Sequence, residues 1–298
     1  MNNYPITKKI RDIFATLVAY IAYYIFYYLV PARAASRLGY IIGYYVLPHL
    51  KLKKKEIFLK NISLVFPNKS PDEVFNIYRK SCANFMQTML ELPKINSLAK
   101  HITLEDPYNI SNRFLDSKQP VIGFTAHFGN WELVGLPFMK ASGYGIYKPP
   151  SNKYINKLLL KIRLQDSKKC KFKMITLNKN KVVKLMNKAK KAQLRLVMLV
   201  DQKIKEGVLA NFLGRPAYTT HFLAMLAIKY NIPLVPLKVL RVSNKELKFV
   251  LSIEKPLDLS NLKNNSKDIL TATEMMNDVI GKWIKENPDQ WLWIYNRW

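Results

Sequence analysis

An uncharged apolar run close to the amino terminus spans residues 13–30, with the sequence IFATLVAYIAYYIFYYLV. A helix needs about 20 apolar residues to cross a hydrocarbon core of about 30 Å, so this run predicts a membrane-anchoring helix. No small-residue cleavage site follows it, and we expect the helix to be retained. Its many tyrosines and the neighbouring apolar patch at 40–47 also fit a helix that lies in the membrane interface, and the sequence leaves both arrangements open.

Beyond residue 50 the pattern changes to helical segments that alternate with buried strands. Apolar residues recur at helical spacing in 53–64, 71–92, 130–139, 153–164, 180–192 and 267–285. Near-continuous apolar runs predict strands at 121–125, 194–200 and 232–242, and a last strand at 291–295. The alternation predicts an α/β fold, with a mostly parallel central sheet flanked by helices and an N-terminal membrane-anchoring helix. We therefore expect an anchor and interfacial segment at 1–50 and one domain at 51–298.

The chain is strongly basic, with 48 Lys and Arg against 20 Asp and Glu and a formal net charge of +28. Such a charge attracts nucleic acid, anionic lipid or phosphorylated glycolipid alike, and does not choose among them. Cys82 and Cys170 form no CxxC motif and no short cluster with histidine. The sequence therefore predicts neither a disulfide framework nor a structural metal site, and it fits a domain that faces a reducing cytoplasm.

His127 is the strongest candidate for chemistry, because it directly follows the predicted strand 121–125 and substrates bind beyond the carboxyl ends of such strands. A turn at Gly129 can bring the histidine back over the first helical turn, where Glu132 lies. A carboxylate on one imidazole nitrogen fixes the tautomer and lets the other nitrogen act as a general base. No GxSxG elbow is present, so we expect an acceptor hydroxyl to attack directly. Spacing alone is weak evidence, since His101 and Asp106 repeat it and a purely structural histidine fits equally well.

Four sequence strings together resemble one family. They are HFGNWE at 127–132, Asp201-Gln202 after a later strand, FLGRPA at 212–217, and the tail QWLW at 290–293 followed by Arg297-Trp298. In this order they are similar to the late acyltransferases of lipid A biosynthesis, the lauroyl/myristoyl transferase family of the lysophospholipid acyltransferase-like superfamily. The resemblance covers nearly the whole chain, including the apolar amino-terminal segment.

The resemblance implies transfer of a fatty acyl chain from an acyl carrier protein thioester to a hydroxyl of a phosphorylated glucosamine disaccharide, the lipid A precursor. The site would face the cytoplasm at the anionic bacterial inner membrane, without a metal or dissociable cofactor. Domain 51–298 would be the catalytic domain, with His127 as base and Glu132 as its orienting partner. The implied substrate-binding residues are Asn130, Lys148, Arg163, Asp201, Gln202, Phe212, Gly214 and Arg215. Tyr295 stands where the family pattern leads us to expect a histidine, which leaves the role of the tail open.

Two alternatives stay open at this stage. The same chemistry can act on another lipid or glycolipid acceptor, and the charge alone also fits a membrane-associated protein that binds polyanions without catalysis. We expect no nucleic-acid partner, because the sequence has no RNP1-like string, zinc-finger spacing or recognition helix. Trp291, Trp293 and Trp298 alternate with apolar residues as in a buried strand, and a lone histidine beside an apolar run, such as His221, is usually structural.

Overall fold

The structure, a computed structural model, describes residues 6–52, 54–115, 119–138, 142–164 and 171–298. It confirms the predicted α/β fold with a mostly parallel central sheet. Cys82 is a buried free thiol, whereas Cys170, for which we also expected no disulfide or metal, lies outside the described residues.

Seven strands form the central sheet of the described chain, in the order β1-β9-β8-β2-β5-β3-β4, and β6 and β7 form a separate antiparallel hairpin. Within the large sheet all neighbours are parallel except β8 and β9. The strands are β1 Ile102–Glu105, β2 Val121–Thr125, β3 Gly143–Ile146, β4 Phe172–Ile175, β5 Arg195–Leu199, β6 Val208–Phe212, β7 Arg215–Thr219, β8 Leu234–Arg241 and β9 Phe249–Ile253.

The α-helices of the described residues are α1 Ile6–Tyr28, α2 Ala32–Ile41, α3 Lys55–Val65, α4 Pro71–Glu91, α5 Ile95–Leu98, α6 Ser111–Leu115, α7 Lys153–Arg163, α8 Lys179–Lys190, α9 Phe222–Tyr230 and α10 Ser266–Glu286. The segment predicted as a helix at 130–139 is a 3-10 helix, Trp131–Phe138. The strand predicted at 291–295 does not form, and an isolated bridge between Trp291 and Phe128 takes its place.

The central strands β2 and β5 separate two apolar cores, one on each face of the sheet. Every residue of β2 is buried, as its continuous apolar sequence predicts. In β5, Leu196 and Met198 belong to one core cluster, whereas Val197 between them belongs to the other. Side chains alternate between the two faces along a strand, so neighbouring residues of β5 contribute to different cores. Helices therefore pack on both faces of the sheet.

The helix α1 carries the apolar segment that the sequence analysis identified. Its part Ile10–Tyr28 is long and apolar enough to cross a membrane, and little of it is buried against the rest of the protein. In contrast, α2 and the π-helical turn Ile42–Val46 that follows it pack closely on α4, where Gly39 and Gly43 lie against backbone atoms of Gln87 and Ala83. A methyl group at Gly39 would stand 2.6 Å from the Cα of Gln87, so this contact requires glycine.

A fully buried ion pair joins α4 to the end of β8. Arg241 donates to both carboxylate oxygens of Glu91, at 2.7 and 2.9 Å, and also to Asn84 Oδ1 at 3.0 Å. The two charged side chains have at most 1% of their surface exposed. Breaking one partner of such a pair leaves an uncompensated charge in the interior.

We predict that Arg241→Met lowers the free energy of unfolding by about 3–5 kcal/mol, because Glu91 is left buried and unpaired. Urea unfolding of the detergent-solubilised protein measures this. The matched control is Lys238→Met. Lys238 lies on β8 like Arg241, but its ion pair with Glu254, at 3.5 Å, is partly exposed. That change should cost no more than about 1 kcal/mol. Equal losses in the two variants would contradict the structural role of the buried pair.

Candidate active site

His127 and Asp201 come together because their strands are neighbours in the sheet. Thr125 at the end of β2 pairs in register with Leu199 at the end of the parallel strand β5. Each of the two candidate residues follows two positions after its paired residue. Parallel register therefore brings the imidazole and the carboxylate to the same edge of the sheet, beyond the carboxyl ends of the strands.

The carboxylate of Asp201 holds His127 through both of its oxygens. His127 Nδ1 lies 2.9 Å from Asp201 Oδ1, and the backbone N–H of His127 donates to Oδ2 at 2.9 Å. Trp291 Nε1 also donates to Oδ2, at 2.8 Å. An ionised carboxylate can only accept, so the imidazole carries its proton on Nδ1 and presents Nε2 as an acceptor.

Asp201 is ionised at neutral pH although it is buried. Burial is the largest influence on the pKa of Asp201 and raises it, but the charge and the hydrogen bonds of His127, with the bond from Trp291, outweigh burial and hold the pKa below its ordinary 3.8. A carboxylate in this state stabilises the imidazolium that forms when the imidazole takes up a proton. The pair therefore has the electrostatics of a general base with its orienting acid.

The turn after His127 depends on Gly129, which has a φ of +56°. A methyl group there would stand 1.9 Å from the carbonyl oxygen of Val239, so only glycine fits. The backbone N–H of Gly129 donates to Gln290 at 2.9 Å, and its carbonyl accepts from Asn84 at 3.0 Å. Asn130 is buried and donates to Glu91 at 2.7 Å. Asn130, predicted to bind substrate, is thus part of the framework that holds the turn.

Glu132 does not contact His127 in the way that the sequence predicted. Its oxygens accept from Arg163 at 2.7 and 2.6 Å and from Trp131 Nε1 at 3.1 Å. Burial is the largest influence on the pKa of Arg163 and lowers it, but the charge and hydrogen bonds of Glu132 outweigh burial and the pKa is raised. The turn at Gly129 and the following 3-10 helix direct Glu132 to α7, and the position expected for it at Nδ1 belongs to Asp201.

A cavity of about 880 Å³ opens at this edge of the sheet, and both His127 and Glu132 line it. Much of its wall is apolar and comes from β3, β4 and β5, as with Ile146, Met174 and Met198. Such a cavity is large enough for a drug-sized or fatty ligand. Of the other residues predicted to bind substrate, three also line it, namely Lys148, Arg163 and Gln202. Lys203, Lys205 and His221 line it too, and the sequence analysis did not single out these two lysines.

The three residues predicted from the string FLGRPA do not line this cavity. The string forms the β6–β7 hairpin, with Gly214 at its turn in a left-handed conformation, at a φ of +80°. Phe212 is fully buried and stacks on Trp298, and Arg215 is exposed. The hairpin packs on α10. Its residues Ala210, Phe212 and Ala217 are buried, whereas Leu209 and Tyr218 are exposed.

The carboxyl-terminal tail contributes more to the site than the sequence indicated. Trp291 and Trp293 are buried, as predicted, but Trp291 also holds Asp201. Tyr295 Oη lies 3.3 Å from His127 Nε2, and Gln202 Nε2 lies 3.3 Å from the same nitrogen. In the sequence, tryptophans at alternate positions usually indicate a core strand and not a site. The only sequence signal for a role of the tail in the site was its place in the family-like order of motifs.

Comparisons with known proteins identify the family of the chain. The family described as "Bacterial lipid A biosynthesis acyltransferase" matches residues 7–298. No curated protein matches the chain. Among solved structures, the crystal structure of the 1-acyl-sn-glycerophosphate (LPA) acyltransferase PlsC from Thermotoga maritima is 13% identical, with a TM-score of 0.39, and the match covers 86% of this chain and 97% of that one. Since the family match extends over nearly all of the sequence, the chain belongs to the bacterial lipid A biosynthesis acyltransferases and transfers acyl groups to a lipid acceptor.

Proposed function

We propose that the protein transfers a fatty acyl chain from an acyl carrier protein thioester to a hydroxyl group of a lipid A precursor. The observation that carries the proposal is the bond between His127 and Asp201 beside a largely apolar cavity, in a chain of a lipid A acyltransferase family. A general base, a space for a hydrocarbon chain and basic side chains for phosphate groups are the three requirements of this reaction. Family membership also argues against a purely polyanion-binding role.

In the proposed mechanism the acceptor hydroxyl gives its proton to His127 Nε2, while Asp201 stabilises the imidazolium that results. The hydroxyl oxygen forms a bond to the thioester carbon, and the carbonyl oxygen takes the displaced electron pair. Collapse of this tetrahedral intermediate breaks the carbon–sulfur bond. The leaving thiolate takes the proton back from the imidazolium, so the products are an ester and a thiol and the site returns to its starting state.

The basic residues of the cavity supply the proposed phosphate contacts. Lys148, Lys203 and Lys205 line the cavity together with Arg163. Lysine binds phosphate as a point charge, and arginine binds it in a planar fork, but the fork of Arg163 already engages Glu132. We assign to Glu132 the role of holding Arg163 at the cavity.

We further propose that α1 attaches the protein to the inner membrane with the cavity on the cytoplasmic side. The support is the apolar segment Ile10–Tyr28 and the cytoplasmic location that a carrier-protein donor requires. Several large apolar side chains of this helix are exposed, as expected for a surface in contact with lipid, among them Phe14, Leu17 and Tyr28.

The reaction can be tested with purified protein in detergent, an acyl carrier protein thioester and a lipid A precursor. We expect a product heavier by one acyl chain in mass spectrometry. His127→Ala should lower kcat by about 100- to 10,000-fold, because it removes the base, and Asp201→Asn should cause a loss in the same range. His101→Ala is the matched control, since His101 also precedes an acid by five positions but lies outside the site, and it should retain activity.

Full activity of His127→Ala would contradict the mechanism. Transfer to a phospholipid or to another glycolipid, with none to the lipid A precursor, would keep the chemistry and overturn the proposed acceptor. Transfer from acyl coenzyme A but not from the carrier protein would overturn the proposed donor.

We predict that Glu132 and Arg163 act as a unit. Glu132→Gln and Arg163→Gln should each lower kcat/KM, and the double variant should lose no more than the worse single variant, because residues in direct contact are not additive. Steady-state kinetics of the four proteins measures this. In the control cycle, Glu132→Gln is combined with Lys148→Gln, and these losses should multiply. Multiplying losses in the Glu132 and Arg163 cycle would contradict the assigned role of Glu132.

A further inference from the structure

The tail of the chain brings Tyr295 to the reactive nitrogen and fixes it there. Before it, Leu292 donates its backbone N–H to the carbonyl of His127 at 3.0 Å. At Tyr295 itself, the side-chain amide of Asn61 donates to the carbonyl oxygen at 2.7 Å. After it, Arg297 is buried and donates to Thr219 Oγ1 at 2.7 Å. The backbone of Tyr295 is thus held on both sides, and the bond from Gln202 to its hydroxyl holds the ring.

The hydrogen bonds around His127 Nε2 leave the phenol proton available. Gln202 Nε2 donates to Tyr295 Oη at 2.9 Å, so the phenol oxygen acts as an acceptor toward the amide. Its one proton is then free to point toward His127 Nε2, 3.3 Å away. At this distance the contact is long for a hydrogen bond, and an incoming hydroxyl can replace it at little cost.

The phenol of Tyr295 is a donor and not a base. Burial, the largest influence, raises its pKa, and the negative charge of Asp201 raises it further, whereas the hydrogen bond from Gln202 lowers it by less. The side chain is therefore neutral at physiological pH. A neutral phenol beside the base cannot compete with His127 for the proton of the acceptor.

We infer that Tyr295, together with the side-chain amide of Gln202, donates a hydrogen bond to the carbonyl oxygen of the thioester as that oxygen becomes negatively charged. The inference rests on the proposed function. An attacking hydroxyl must come within about 3 Å of His127 Nε2. The carbonyl oxygen of the thioester then lies close to this hydroxyl, because both oxygens bond to the same carbon. Two donors that now stand 3.3 Å from Nε2 are thus close to the place where the charge develops.

The proposed step keeps the proton balance of the mechanism. The proton of the acceptor hydroxyl moves to His127 Nε2, and the phenol proton and an amide proton of Gln202 turn from Nε2 to the oxyanion without being transferred. When the carbon–sulfur bond breaks, the carbonyl re-forms and the two donors are released. Donors in place before the reaction stabilise the developing charge without a cost in reorganisation.

The test compares Tyr295→Phe with wild type in the transfer assay. The variant keeps the ring and removes the donor, so kcat should fall by about 100- to 1,000-fold, as for other oxyanion donors, while KM and the midpoint of thermal unfolding stay near the wild-type values. Tyr230→Phe is the matched control, because Tyr230 also packs against the main core but has neither the contact with His127 nor the bond from Gln202 that Tyr295 has, and it should retain activity. Tyr295→His restores a ring with a donor and should recover part of the lost kcat.

Three results would overturn the inference, and they are distinguishable from one another. If the wild-type protein transfers acyl chains and Tyr295→Phe is as fast as wild type or faster, the phenol merely covers Nε2. This result removes the role of Tyr295 and leaves the proposed function in place. A Tyr295→Phe variant that is slow only because it unfolds, with no recovery in Tyr295→His, overturns the role as well. A wild-type protein without transfer overturns the proposed function itself, and this inference with it.

Discussion

Asp201 is buried, and three N–H groups from two separate parts of the chain converge on its two oxygens. Two of them belong to His127 after β2, and the third belongs to Trp291 in the tail. The carboxylate therefore sets the imidazole tautomer, fixes the backbone at the end of β2 and attaches the tail to the site. A change of this one group alters all three, because the three N–H groups all donate to this carboxylate.

A second buried carboxylate, that of Glu91, holds the turn after His127 from the interior of the protein. Glu91 at the end of α4 binds Arg241 on β8 and accepts from Asn130 in the turn after His127. Gly129 lies so close to the carbonyl of Val239 that no side chain fits there, and this contact fixes the conformation of the turn. The base is consequently positioned by a strand, a helix and a turn that are each tied to the interior, as a preorganised site requires.

Much of the fold could be predicted from the sequence, because β2, β5 and β8 are continuous apolar runs and the helices keep a clear spacing. The place of His127 at a strand end could be predicted for the same reason. Asp201 and Gln202 were implied by the family resemblance as substrate-binding residues; Gln202 lines the cavity, whereas Asp201 is the buried partner of His127. The partner of His127 could not be predicted, because it depends on the register between β2 and β5, which pairs residues far apart in the chain. Glu132 was the nearer carboxylate in sequence, yet the 3-10 helix directs it to Arg163. The string FLGRPA was predicted to bind substrate, but it forms the β6–β7 hairpin, which packs on α10, and its residues do not line the cavity.

The most direct test asks which ring nitrogen of the neutral His127 imidazole carries the proton. It uses ¹⁵N NMR of the detergent-solubilised protein with ¹⁵N-labelled histidine. Comparison with His127→Gln assigns the signal. At a pH at which the imidazole is neutral, the account predicts the proton on Nδ1, facing Asp201, and a free lone pair on Nε2. In Asp201→Asn this preference should weaken. A proton on Nε2 in the wild-type protein would show that Asp201 does not hold the imidazole and would contradict the account.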